Sequence, residues 1–79
     1  MSTFKTMIAS DADHEKVYAE IYCDEKFVAL VSQENGLDKL RVEFPDSSID
    51  KSMILRNIEM EGFLRALTEA KQRLSGEIP

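Results

Sequence analysis

The chain has 79 residues, 43% of them hydrophobic, with one cysteine and one histidine, which leaves room for one small domain, residues 1–79, and excludes a second. A lone cysteine excludes an internal disulfide, and no Cys/His cluster offers a structural metal, so association with another chain is the remaining source of extra stability. Fifteen acidic residues against ten basic ones give a net charge of −5, which disfavours nucleic acid and anionic membrane; it would speed encounter with a basic protein partner, but ordinary solubility is the better account of a charge this modest.

The first residues show neither the apolar stretch nor the cleavage site of a secretory signal. The longest apolar run, residues 27–31, is far short of the ~20 residues a membrane helix needs. A soluble, cytoplasmic protein is expected. In chain order, residues 3–9 read as a strand, followed by the acidic stretch 10–16. Residues 17–23 alternate Val17, Ala19, Ile21 and Cys23 against Tyr18, Glu20 and Tyr22, the period-two pattern of a strand. After Asp24, Glu25 and Lys26, residues 27–33 resume with two largely apolar faces, as a central strand does. Asn35-Gly36 is the strongest short hairpin signal, because both residues tolerate the positive φ of a type I′ turn. Residues 37–44 then form the next strand, closed by Pro45.

A two-residue turn at Asn35-Gly36 sets Val31 opposite Leu40, Ala29 opposite Val42 and Phe27 opposite Phe44 on one face. A tight turn within residues 24–26 adds Tyr18, Glu20 and Tyr22 to that face, which this reading takes as the core. The other face collects Val17, Ala19, Ile21, Cys23, Val28 and Leu30, bordered by Lys39, Arg41 and Glu43. In residues 46–57, Ser47, Ser48 and Asp50 suit turns or a helix cap, and residues 53–58 suit an edge strand or a single helical turn, the short strand being favoured. From Met60 to Ser75 the period changes, and Phe63, Leu64, Leu67, Ala70 and Leu74 line one stripe of a helix. Glu61 with Arg65 and Glu69 with Arg73 are spaced to pair, and Gly76 suits the helix end. The expected fold is α+β: an antiparallel meander of 3–5 strands with one C-terminal amphipathic helix on one face.

Chemistry-bearing residues are few. His14, in Asp11-Ala12-Asp13-His14-Glu15, reads as an imidazolium held by carboxylates in a solvated loop. It lacks the paired ligands of a zinc site and the glycine of a calcium loop. Cys23 reads as a small packing residue. No nucleophile elbow, phosphate loop or dinucleotide glycine pattern occurs. No catalytic residue, metal or cofactor is expected. Glu20 is expected beneath the helix beside Ala29 or Val31, paired with a base such as Lys71. Since one helix covers one face, the second face becomes the candidate interface, carried by Val17, Ala19, Ile21, Val28, Leu30 and Arg41, with a second copy as its occupant. Glu34, Asp38, Asp46 and Asp50 are the carboxylates expected to meet a basic partner.

The strings Tyr-Ala-Glu-Ile-Tyr-Cys, Phe-Val-Ala-Leu-Val-Ser-Gln-Glu-Asn-Gly, Leu-Arg-Val-Glu-Phe-Pro and Phe-Leu-Arg-Ala-Leu-Thr-Glu-Ala-Lys-Gln-Arg-Leu together resemble small bacterial proteins of a β-meander and a helix, of unassigned function. Some proteins of this shape are immunity proteins that neutralise secreted toxins. The residue inventory and the uncovered second face point to a non-enzymatic interaction protein, homodimeric through that face, and the resemblance adds toxin neutralisation as a concrete form of it. The alternative is a small ligand-binding or enzymatic domain that uses the space between helix and sheet, with Glu20, Tyr18, Tyr22 and Cys23 as its polar groups.

Overall fold

The computed structural model describes residues 3–45 and 51–76. Four strands, β1 (Phe4–Ala9), β2 (Tyr18–Cys23), β3 (Lys26–Ser32) and β4 (Arg41–Glu43), form one antiparallel sheet in sequential order. A single helix, α1 (Met60–Ser75), packs on it, giving an α+β fold. None of the described helices is long and apolar enough to cross a membrane.

The two turn signals exchange roles. Asp24 and Glu25, with φ of 52° and 69°, make the two-residue turn between β2 and β3, so that Cys23 pairs with Lys26. Positive φ at both central residues matches the twist of the flanking strands. Asp24 also fastens β1: its N–H donates to Thr3 O at 2.9 Å, and its Oδ1 accepts from Thr3 N–H at 2.9 Å. Asn35-Gly36 sits instead in a wider loop of two successive turns. There Gly36, at φ 101°, donates to Gln33 O and Lys39 donates to Gly36 O. The Glu34 carboxylate organises this loop by accepting the backbone N–H groups of Glu15 and Lys16 from the β1–β2 connection. In consequence β4 is short, and Val31 pairs with Val42 where the tight turn predicted Leu40.

The face assignment from sequence is overturned by a bulge. Ile21 pairs with Ala29 but Tyr22 pairs with Phe27, which leaves Val28 as the extra residue on β3. A bulge of this kind reverses the alternation beyond it. Phe27 stays beside Tyr22, while Ala29 and Val31 move to the face of Ala19, Ile21 and Cys23. That face carries the core, where these residues and Val28 are buried with Ala66 and Ala70 of the helix. Tyr18, Glu20 and Tyr22 therefore lie on the side away from the helix. So does Glu20's cross-strand neighbour Leu30, and pairing of Glu20 with Lys71 is not part of the structure.

Small residues let the helix approach closely. Ala19 and Ala29 face Ala66 and Ala70, and the Phe4 ring lies over Gly62. A Cβ on Gly62 would stand 3.0 Å from Phe4 Cδ1 and closer still to Cε1. The helix keeps its expected span and ends at Gly76, whose φ of 80° turns its N–H onto Arg73 O and Gln72 O. Its predicted ion pairs are replaced: Arg65 lies 3.6 Å from Glu59, and Arg73 reaches across to donate to Thr6 O at 3.0 Å.

The short strand expected within residues 46–57 reduces, among the described residues, to a 3-10 turn at Lys51–Met53 and one parallel bridge of Ile54 to Phe27. Leu55 N–H donates to Phe27 O at 3.0 Å. The edge of β3 is thus shared, with β4 on Leu30–Ser32 and Ile54 before the bulge.

Candidate functional site on the open face of the sheet

The face opposite the helix carries Lys5 and Met7 from β1, Tyr18, Glu20 and Tyr22 from β2, Phe27, Leu30 and Ser32 from β3, and Arg41 and Glu43 from β4. Of these, Tyr18, Glu20, Tyr22, Phe27, Leu30 and Glu43 line a groove of 630 Å³ with Asp11, Asp13 and Glu25 from the loops and Phe44, Pro45 and Met53 from the β4 side. Its floor is aromatic and aliphatic and its margins are carboxylates. Tyr22 and Phe27 meet edge to face, with centroids 5.7 Å apart at 66°, the arrangement their ring quadrupoles favour.

At one end the β1–β2 loop folds over Tyr18. Asp11 accepts the Tyr18 hydroxyl at 3.0 Å and lies 2.8 Å from His14 Nδ1, and His14 Nε2 lies 3.7 Å from Glu43 Oε2. The imidazole lies against the Tyr18 ring, with centroids 4.6 Å apart and planes tilted by 40°. This is the carboxylate-held histidine read from the sequence, with a second carboxylate supplied by β4. The Asp11 hydrogen bond raises the His14 pKa above its ordinary 6.5, and the same bond is the main cause that lowers Asp11 below 3.8. Burial, reinforced by Asp11, pushes the Tyr18 phenol up to about 12. Burial and then the Glu20 carboxylate raise Tyr22.

This arrangement holds charge more readily than it moves protons to a substrate. One histidine nitrogen is bound to Asp11 and the other faces Glu43, while Cys23 is fully buried on the helix side, away from any base on the open face. Among the described residues no group of three or more His, Cys, Asp or Glu is placed to hold a metal ion. Of the polar groups assigned to a site between helix and sheet, only Cys23 faces that space.

The six residues expected to form one interface are divided by the fold. Ala19 and Ile21 are fully buried and Val28 nearly so, beneath the helix. Val17 is exposed just before β2, Arg41 is exposed on β4, and Leu30 is half-buried in the open groove. Of the acidic set, Glu34 binds backbone N–H groups, Asp38 is exposed beside Gly36, and Asp46 and Asp50 lie outside the described residues. The sequence reading missed Asp11, Tyr18, Tyr22, Phe27 and Glu43 as groove residues.

Comparison with known protein families, curated proteins and solved structures finds no match. The functional argument therefore rests on the groove itself.

Proposed function

We propose that the protein is a non-enzymatic interaction module that engages a basic protein partner on the open face of its sheet. One observation carries this reading. The only helix of the described residues covers the small-residue face, and the face left to solvent is an aromatic floor rimmed by Asp11, Glu20, Glu25 and Glu43. Charge of one sign on a concave apolar surface favours and accelerates encounter with a partner of the other sign. Neutralisation of a basic toxin, as by those proteins of this general shape that are immunity proteins, is a concrete form of this function.

Self-association through the face first expected for it would require Ala19, Ile21 and Val28, which are interior. Two copies pressed together by their open faces would set each Glu20 and Glu43 near the same carboxylates of the other, and like charges so placed oppose the contact. A foreign cationic partner meets no such repulsion.

The test is a pair of baits, the wild type and the Glu20→Lys/Glu43→Lys variant, in an extract of the protein's own cells. The wild type is expected to retain a polypeptide that is released as salt shortens the Debye length and that the reversed variant does not retain. No retained polypeptide, or the same one on both baits, would refute the proposal.

A further inference from the structure

We infer that the open groove takes an extended segment of its partner that presents a cation, an apolar side chain and a second cation along one edge, laid across the strands on the row Glu20, Leu30, Glu43. The inference deepens the binding-module reading and rests on it. The row follows from register: Met7 pairs with Glu20, Glu20 with Leu30, and Leu30 with Glu43. Neighbouring strands lie about 4.8 Å apart, so the two carboxylate-bearing positions stand about 10 Å apart, with the leucine between them.

An extended chain repeats the same face every second residue, about 6.8 Å, so residues i and i+4 stand about 13.6 Å apart. The flexible stems of arginine or lysine close that difference inward onto the two carboxylates. The residue at i+2 then sits over Leu30, which is half-buried on the groove floor. Tyr22 and Phe27 form one flank of the row and Tyr18 the other, and aromatic faces beside a cation add attraction. Phe44 and Met53, 68% and 57% exposed, offer apolar contact at the rim. Two cations of the sheet also lie on this face, Lys5 at its β1 margin, two strands from Leu30, and Arg41 on β4, two residues from Glu43. Neither lines the groove, and Glu43 also faces His14 Nε2 at 3.7 Å. The groove's 630 Å³ falls within the roughly 300–1,000 Å³ of sites that enclose a small ligand or a few side chains.

The experiment is fluorescence anisotropy at low salt with two fluorescein-labelled peptides of one composition, Arg-Ser-Leu-Ser-Arg and Leu-Arg-Arg-Ser-Ser. Wild-type protein is expected to bind the first at least about threefold more tightly, the scale of one partly exposed ion pair and its spacing. Glu20→Gln/Glu43→Gln should weaken the first peptide about tenfold. Glu61→Gln/Glu69→Gln, the same charge change on the helix, should leave it within about twofold. Leu30→Ser, which alters no charge, should erase the preference between the peptides. Equal weakening by both glutamine pairs, or no preference in the wild type, would show attraction to net charge only and overturn the inference. A shift to dimer when Glu20 and Glu43 are neutralised, seen by sedimentation, would make a second copy the occupant and overturn it too. If the peptide does not bind while the charge-reversed bait still loses its partner, the module reading stands and this inference fails. If neither assay responds, both fail.

Discussion

Gly62→Ala tests the closest approach of helix to sheet, because propensity and packing predict opposite signs. In an open helix interior the change would stabilise by about 0.8–1 kcal/mol. Here the new methyl meets the Phe4 ring, 3.0 Å from Cδ1 and nearer to Cε1, and lies 3.1 Å from a Glu59 carboxylate oxygen. The glutamate swings aside easily. The ring, packed against the core from β1, must be displaced, and overpacking of this kind costs about 1–3 kcal/mol. A net loss of about 1 kcal/mol is expected, which for a domain of this size lowers Tm by about 4–8 °C. Phe4→Val keeps a strand-forming residue and removes the ring, so in that background Gly62→Ala should become stabilising by about 0.8–1 kcal/mol. Urea unfolding of the four proteins of this cycle gives the coupling, expected at about 2 kcal/mol. Stabilisation of the wild type by Gly62→Ala with no coupling to Phe4 would refute the described seating of the helix.

Four further outcomes follow from the same structure. Glu25→Gly relieves a left-handed residue at φ 69°, and should raise stability by about 0.5–1 kcal/mol in thermal or urea melts; a loss would contradict the turn. Ile21→Asp, at a fully buried position, should abolish the cooperative transition, whereas Leu30→Asp on the open face should change stability by less than about 1 kcal/mol. For His14, whose pKa is raised above 6.5 by Asp11, the contribution is complete below 6.5 and is lost as pH rises through the higher folded value. For Asp11, lowered from 3.8, it is present above 3.8 and is lost as pH falls through the lower folded value. The difference between wild type and His14→Gln should therefore be larger at about pH 5.5 than at about pH 8.5, and a difference that grows with pH would contradict the pairing. Tyr18 should ionise near 12 in an ultraviolet titration, its contribution to stability falling only as pH rises above 10; ionisation at 10 would place its ring in solvent.

What the sequence disclosed depended on how local each cause was. The alternation of β2, the helix span and the Gly76 stop are set by neighbouring residues, and the structure keeps them. The bulge at Val28 arises from pairing between strands, so no period-two reading of β3 could place it, and one misplaced residue reversed the assignment of faces. A better signal lay within β2 itself. Tyr18, Glu20 and Tyr22 form the polar side and Ala19, Ile21 and Cys23 the small apolar side, the alternation of a sheet with one solvated face. The assumed turns outweighed it. Asn35-Gly36 yielded to a wider loop because Glu34 is held by the backbone of Glu15 and Lys16, a contact from a distant part of the chain. Asp11 as a partner of His14 was legible three residues away. Glu43 was not, and with it the groove stayed hidden.

The most direct test of the account maps amide chemical shifts on isotopically labelled protein as the partner recovered by the wild-type bait is added. The account predicts perturbations centred on Glu20, Tyr22, Phe27, Leu30 and Glu43, with the outer helix positions Glu61, Leu64 and Thr68 unchanged. Perturbations centred on those helix positions, with the groove silent, would contradict it.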